Sequence, residues 1–339
     1  MGNPWLGEVG EARVRRLVAT WATAGAIFIG TISPSSALEG ATAAGPIGGT
    51  DIRSAILPPP GLYGGVAGVV TGVHEIHNGS GQPAPGLNKV NILATVGGPL
   101  LVYVPNFKVL DGAVGLVGAF PLGEVCGQLT AAVPSRCISG FGDPYVEAIW
   151  SRSFGHLRRS HDPGALPILE GLSVALGLGT VIPVGHYDAQ DQHRNGATIG
   201  NNTLDVAPTF AVTYTTPPLL FDGTEFSTKV FWNHYGTNSQ TQYQAGQMVS
   251  ADFALTEHIG RFQVGAIGVY AMQMQDDRQF GAVVPPDGHR LELLNLGGIV
   301  ACDLADIGAV IRVKALATVF ARNAVAGRGV VVSFAKKLY

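Results

Sequence analysis

Charge is what this 339-residue sequence has least of. Lysine, arginine, aspartate and glutamate make up 13% of it, about half the share usual in a soluble domain. Apolar residues reach 46%, which excludes disorder, because disordered chains are charge-rich and poor in apolar residues. No basic stripe is present, and a net charge of -3 with a pI near 6.3 excludes a nucleic-acid partner. Past the N-terminus there is no apolar run of about 20 residues, so a bundle of membrane helices is excluded as well. Only three cysteines occur, none in a CxxC pair, so a structural zinc site is not expected. Walker loops, GxSxG elbows and HExxH motifs are also missing. The expectation is a protein that is not an enzyme and needs no cofactor or metal.

The N-terminus carries Arg13, Arg15 and Arg16, then an uncharged and mostly apolar stretch over 17–32, then Pro34, Ser35, Ser36 and Ala37. A basic region, an apolar region and small residues in that order form a secretory signal peptide. Residues 1–43 are therefore read as a signal peptide, cut near 37 or 43, with a short N-terminal segment, and 44–339 as one domain. A single N-terminal anchor is the alternative, and the lack of a basic stop-transfer flank favours cleavage. Export to an oxidising compartment makes Cys126 and Cys137, eleven positions apart in a turn-rich stretch, a candidate disulfide. Two unrelated small apolar residues are the other reading.

What the sequence has in abundance is glycine, 47 residues, and apolar–polar alternation. Leu204, Val206, Pro208, Phe210, Val212 and Tyr214 fall on one face of an extended segment. Asp205, Ala207, Thr209, Ala211, Thr213 and Thr215 fall on the other. Weaker alternation runs through 227–234 and 311–319. A soluble sandwich also alternates, so the connections decide. Twelve strands are expected, at 62–77, 88–104, 113–121, 142–154, 168–183, 203–216, 224–235, 247–258, 261–275, 291–303, 308–320 and 329–338. Most reach the 9–11 residues a tilted strand needs to cross a bilayer. Connections after odd strands are long and polar (78–87, 122–141, 184–202, 236–246, 276–290, 321–328). Those after even strands are mostly short, with 155–167 the exception. Short turns on one side, long loops on the other and an even strand count describe an outer-membrane barrel. The fold class is therefore all-β: an antiparallel transmembrane outer-membrane β-barrel of about 12 strands. The last strand ends on Tyr339, and a terminal aromatic is a feature that barrel-assembly machinery reads.

Four stretches, taken in order, point to a family. Leu57-Pro58-Pro59-Pro60-Gly61-Leu62-Tyr63 opens the first strand, and Gly140-Phe141-Gly142-Asp143 opens the fourth. Val181-Ile182-Pro183-Val184-Gly185-His186-Tyr187-Asp188 closes the fifth, and Asn201-Asn202-Thr203 leads into the sixth. Over about 55–339 the chain resembles the outer-membrane proteins associated with the meta-pathway of phenol degradation, the SphA family. Val184 stands where such proteins often carry Thr, a mild departure. The resemblance implies an outer-membrane barrel of a Gram-negative bacterium that works beside the degradation of aromatic compounds. It implies a channel for small hydrophobic or aromatic solutes, and it carries over no functional residues. The motifs themselves read as structural: Pro58–Pro60 stiffen the approach to the first strand, and Gly140 and Gly142 permit a sharp turn.

If the apolar faces meet lipid, Asp205, Glu225, Lys229, Asp252, Arg312 and Lys314 fall on or near the inner face. Lys or Arg facing lipid at mid-depth costs about 2–4 kcal/mol, which supports that orientation. These six are the candidate lumen-lining residues, with wall-bracing ion pairs and a selectivity ring as competing roles. His74 and His77 lie three apart on a strand and point to opposite faces, so they do not converge on a metal. His186, Asp188, Asp191 and His193 cluster in one loop, which reads as a solvated polar loop. The expected function is passive uptake of small hydrophobic or aromatic compounds through the lumen. A non-conducting surface barrel whose outer loops bind a partner is the alternative, and a barrel hydrolase the remote one. Expected partners are outer-membrane lipid, the solute and the barrel-assembly machinery.

Overall fold

The computed structural model describes Glu39, residues 48–87 and residues 89–339. The expected signal peptide and both cleavage positions lie outside the described residues. In chain order, β1 (Gly61–Ile76) and β2 (Asn91–Val104) form the first hairpin, followed by β3 (Lys108–Val109) and β4 (Gly112–Ala119). Then come β5 (Leu122–Gln128), β6 (Arg136–Phe141), β7 (Tyr145–Ser153), β8 (His156–Arg158) and β9 (Ile168–Val181). A short helix, α1 (Ala189–Asn195), precedes β10 (Asp205–Thr215) and β11 (Thr224–Tyr235). β12 (Tyr243–Gln244), β13 (Met248–Ile259), β14 (Phe262–Gln273), β15 (Arg278–Gln279) and β16 (Ala282–Val283) follow. The chain ends in β17 (Glu292–Leu304), β18 (Ala309–Arg322) and β19 (Val325–Lys337).

Twelve of these strands close a barrel in the order β1-β2-β4-β7-β9-β10-β11-β13-β14-β17-β18-β19, with every neighbour antiparallel. The seam is β1 against β19, from Tyr63↔Lys337 to Ile76↔Val325. Alternation along each strand explains the orientation. In β10, Asp205, Ala207, Thr209, Ala211, Thr213 and Thr215 are buried, while Pro208, Phe210 and Tyr214 are exposed. The outer surface carries Val66, Leu116, Leu176, Phe226, Trp232, Leu255, Val300 and Val330, all exposed. Exposed apolar side chains all round a closed barrel make a lipid-facing belt, which places this protein in an outer membrane.

Two connections differ from the sequence expectation. The stretch 122–141 is largely strand rather than loop: β5 continues β4 past Phe120-Pro121 and pairs with the upper half of β2 (Gly97↔Leu122 to Asn91↔Gln128). β6 returns beside β5 and runs on through Gly142-Asp143-Pro144 into β7. The stretch 321–328 is a tight hairpin, with only Asn323 and Ala324 between β18 and β19 and Asn323 at φ 45°, a region asparagine tolerates. The wall is therefore uneven. It rises through β18, β19, β1, β2, β5 and β6, and it stops lower at Tyr145, Val181 and Asp205, which share one level. The 182–204 connection covers that low side.

Cys126 and Cys137 face each other across β5 and β6, and a disulfide joins them. Among the described residues no helix is long and apolar enough to cross a membrane.

Candidate functional site

The segment before β1 runs through the lumen. Asp252 Oδ1 accepts from the Gly48 N–H at 2.7 Å, and its Oδ2 accepts from the Thr50 N–H and hydroxyl, each at 2.8 Å. Lower down, Glu225 accepts from the Arg53 N–H at 2.8 Å, and the Ser54 N–H donates to Ser227 at 3.0 Å. The Ala55 N–H donates to Thr213, and Ser151 donates back to the Ala55 carbonyl. Irregular backbone inside a barrel must find its hydrogen bonds among inward side chains, and here it finds hydroxyls and carboxylates.

All six of the charged residues singled out in the sequence have buried side chains. Asp252, Lys314 and Glu225 meet on the lumen segment: Lys314 Nζ lies 2.7 Å from Asp51 and also donates to the Gly48 carbonyl. Arg312 lies on the same strand amid the charges of Arg53, Asp51, Asp303 and Glu225. Lys229 stands apart, with Nζ 2.7 Å from both carboxylate oxygens of Glu147 on β7. Asp205 is isolated near the outer rim, where it accepts from the His234 N–H.

Four acid–base pairs thus line the interior, two of them already named. His258 Nε2 lies 3.3 Å from Glu225, and Arg53 reaches Asp303 at 3.6 Å. Single residues could not reveal the partners Asp51, Arg53, Glu147 and His258. Glu147 was legible in principle, since it shares the inward parity of Tyr145, Ile149 and Ser151 in β7.

At the outer mouth three of the four motifs come together, while Leu57–Tyr63 lies at the other end of β1, where Gly61 pairs with Val104. Asp143 Oδ1 accepts from Gly185 at 2.7 Å and Oδ2 from Asn201 at 2.6 Å. The His186 N–H donates to the Phe141 carbonyl, and Gly200 donates to His186. A side chain at Gly185 would meet the backbone of Gly142 at 2.6 Å, so the crossing needs glycine. Burial pushes the Asp143 carboxyl above its ordinary range, against the pull of its backbone donors. The two loops, 140–143 and 182–201, are therefore locked by one carboxylate.

Around this lock the loop residues take separate roles. Asp188 caps α1 through the Gln190 and Asp191 N–H groups, Asp191 pairs with Arg136, and His193 faces Glu39. The four clustered residues therefore share no ligand-binding point. Tyr243 donates to Asp277, and burial followed by that neighbouring charge pushes its phenol well above the ordinary range. A cavity of about 350 Å³ opens beside these loops.

The barrel is similar to solved structures, and the first of these agrees with its fold. The COG4313 outer membrane channel from Pseudomonas putida F1 matches at 12% identity and a TM-score of 0.66, over 84% of this chain and 98% of that one. The β domain of the Bordetella autotransporter BrkA matches at 12% identity and 0.43, over 81% and 99%. The P. putida toluene transporter TodX matches at 11% identity and 0.39, over 86% and 93%. No curated protein sequence matches the chain. The family model described as the MetA-pathway of phenol degradation matches residues 74–334, most of the barrel, and the chain belongs to that family.

Proposed function

We propose that this protein is a channel for the passive movement of small hydrophobic or aromatic compounds across the outer membrane. The observation that carries the reading is the pairing of charge inside the barrel. Lys229 is neutralised by Glu147, Lys314 by Asp51, and Arg53 by Asp303. Cations braced in this way are neutralised where they stand and are not left as a ring that selects an ion, which suits an uncharged solute. Family membership supports the aromatic class, and the channel named in the P. putida F1 structure supports transport. The driving force is the solute's concentration gradient.

The path requires residues 48–57 to shift, because they cross the lumen. That same observation favours a second reading, a barrel that does not conduct and whose structured outer loops bind a partner. Flux of toluene into proteoliposomes separates the two. Protein-dependent flux supports the channel, and flux equal to protein-free vesicles, even with the segment loosened, supports the second reading.

A further inference from the structure

The strand that seals the barrel carries a cation on its lipid side. Along the outward face of β19, Val330 and Val332 are exposed, with Arg328 exposed above them and Lys336 below. The strand from Arg328 to Lys336 spans about 26 Å. A tilt of 35–45° shortens that to about 20 Å of height, close to the apolar band of such barrels, about 25 Å. The two cations therefore bracket the band, where a charge is far cheaper than at mid-depth. β19 begins at the outer hairpin, so Arg328 marks the outer edge. Among the described residues Arg328 makes no ion pair and no side-chain hydrogen bond.

Its neighbours leave room beside it. Gly72 pairs with Arg328 on one side and Ala317 on the other, and Leu93 lies beyond Gly72. A Cβ at Gly72 would meet nothing within 4 Å, so the space next to the guanidinium is open. Lys89, exposed just before β2, adds a second cation to this edge and also has no partner among the described residues. The exposed carboxylates of β1 and β5 are already engaged, Glu75 by His77 and Glu124 by Ser139, each at 2.9 Å. A guanidinium matches a phosphate through two parallel hydrogen bonds. β1 separates β19 from β2, so Arg328 and Lys89 stand at least about 10 Å apart. One phosphate cannot serve both, whereas a disaccharide with a phosphate at each end can. We propose that this edge binds a bisphosphorylated glycolipid of the outer leaflet. One phosphate lies on Arg328 over Gly72, the other on Lys89, and the acyl chains run down over Leu93 and Val330. The site is on the outside of the wall and does not depend on what the lumen carries.

The test is native mass spectrometry of the mature protein in detergent with three lipids: lipid A bearing two phosphates, lipid A bearing one, and phosphatidylglycerol. The two-phosphate form is expected to bind about tenfold tighter than either of the others, the effect of one further charged contact. Arg328→Gln is expected to remove that advantage, and Arg328→Lys, which keeps the charge without the fork, to retain part of it. Gly72→Leu, which covers the open space and leaves the cation, is expected to weaken binding as well. Lys336→Gln, at the inner edge, is expected to bind like the parent. Variants are compared only where the unboiled protein keeps its compact gel mobility, and Arg328→Gln and Gly72→Leu each decide the question alone. Parental binding by either overturns the inference. So does a loss in Lys336→Gln equal to that in Arg328→Gln, or phosphatidylglycerol or the one-phosphate lipid binding as tightly as the two-phosphate form.

Discussion

Lys229 on β11 holds both carboxylate oxygens of Glu147 on β7 at 2.7 Å, across a barrel interior in which neither side chain reaches water. Between those strands in the wall stand β9 and β10, so the pair spans the inside of the barrel instead of joining adjacent strands. Thr209 on β10 donates to the same carboxylate at 2.7 Å and completes its shell. Breaking a buried pair by removing one partner costs about 3–5 kcal/mol, while replacing both with apolar residues is often neutral.

Lys229→Met is therefore expected to lower the temperature at which the unboiled barrel loses its compact gel mobility. The double variant Lys229→Met/Glu147→Leu is expected to recover most of the loss. If the single variant matched the parent, the pair would contribute nothing to the wall.

Asp252 supplies three hydrogen bonds to the lumen segment. Asp252→Ala leaves two backbone N–H groups without their acceptor, each costing about 1–3 kcal/mol. Planar-bilayer recording is expected to show a severalfold rise in ion conductance as the segment loosens. Unchanged conductance from a correctly folded barrel would mean that the segment does not gate the lumen.

The Cys126–Cys137 link closes a short loop at the top of β5 and β6, and loops of this size are worth roughly 2–3 kcal/mol. Alkylation of the unreduced, unfolded protein is expected to label Cys302 alone. Labelling at all three cysteines would rule the link out. Cys137→Ser is expected to speed proteolysis within 128–136 while leaving the barrel core resistant.

In the turn between β7 and β9, Arg261 holds Asp162 through two contacts near 3.0 Å and lowers its carboxyl below the ordinary 3.8. A carboxyl lowered in the folded state binds its proton less readily than in the unfolded one. The pair therefore stabilises the turn above about pH 4, and the effect fades as pH falls through the lowered value. Limited proteolysis of 159–166 is expected to accelerate only in that acid window, and Asp162→Asn is expected to remove the dependence. A rate that is flat with pH in the parent would contradict the assignment.

The barrel itself was legible because lipid on one side and a packed interior on the other impose period-2 alternation, as in Asp205–Thr215. β5 and β6 were hidden because they rise beyond the bilayer. Glu124, Arg136 and Ser139 interrupt their apolar pattern, and a strand in water reads like a loop. β18 and β19 were set too far apart because Asn323 and Gly327 resemble a turn-rich connection, whereas one left-handed Asn is enough. The lumen segment had no local signature. Its partners lie about 100–270 positions away, and only the closed wall brings Asp252, Glu225 and Lys314 to bear on ten residues. The four motifs were visible as punctuation, and the convergence of three of them on Asp143 was not.

Residues 48–57 lead directly into β1, the strand that seals the barrel against β19. The piece that fills the interior and the piece that shuts it are consecutive links of one chain. The filling is therefore leashed to the seam: whatever loosens residues 48–57 leaves them tied to the barrel, unable to diffuse away as a separate stopper would.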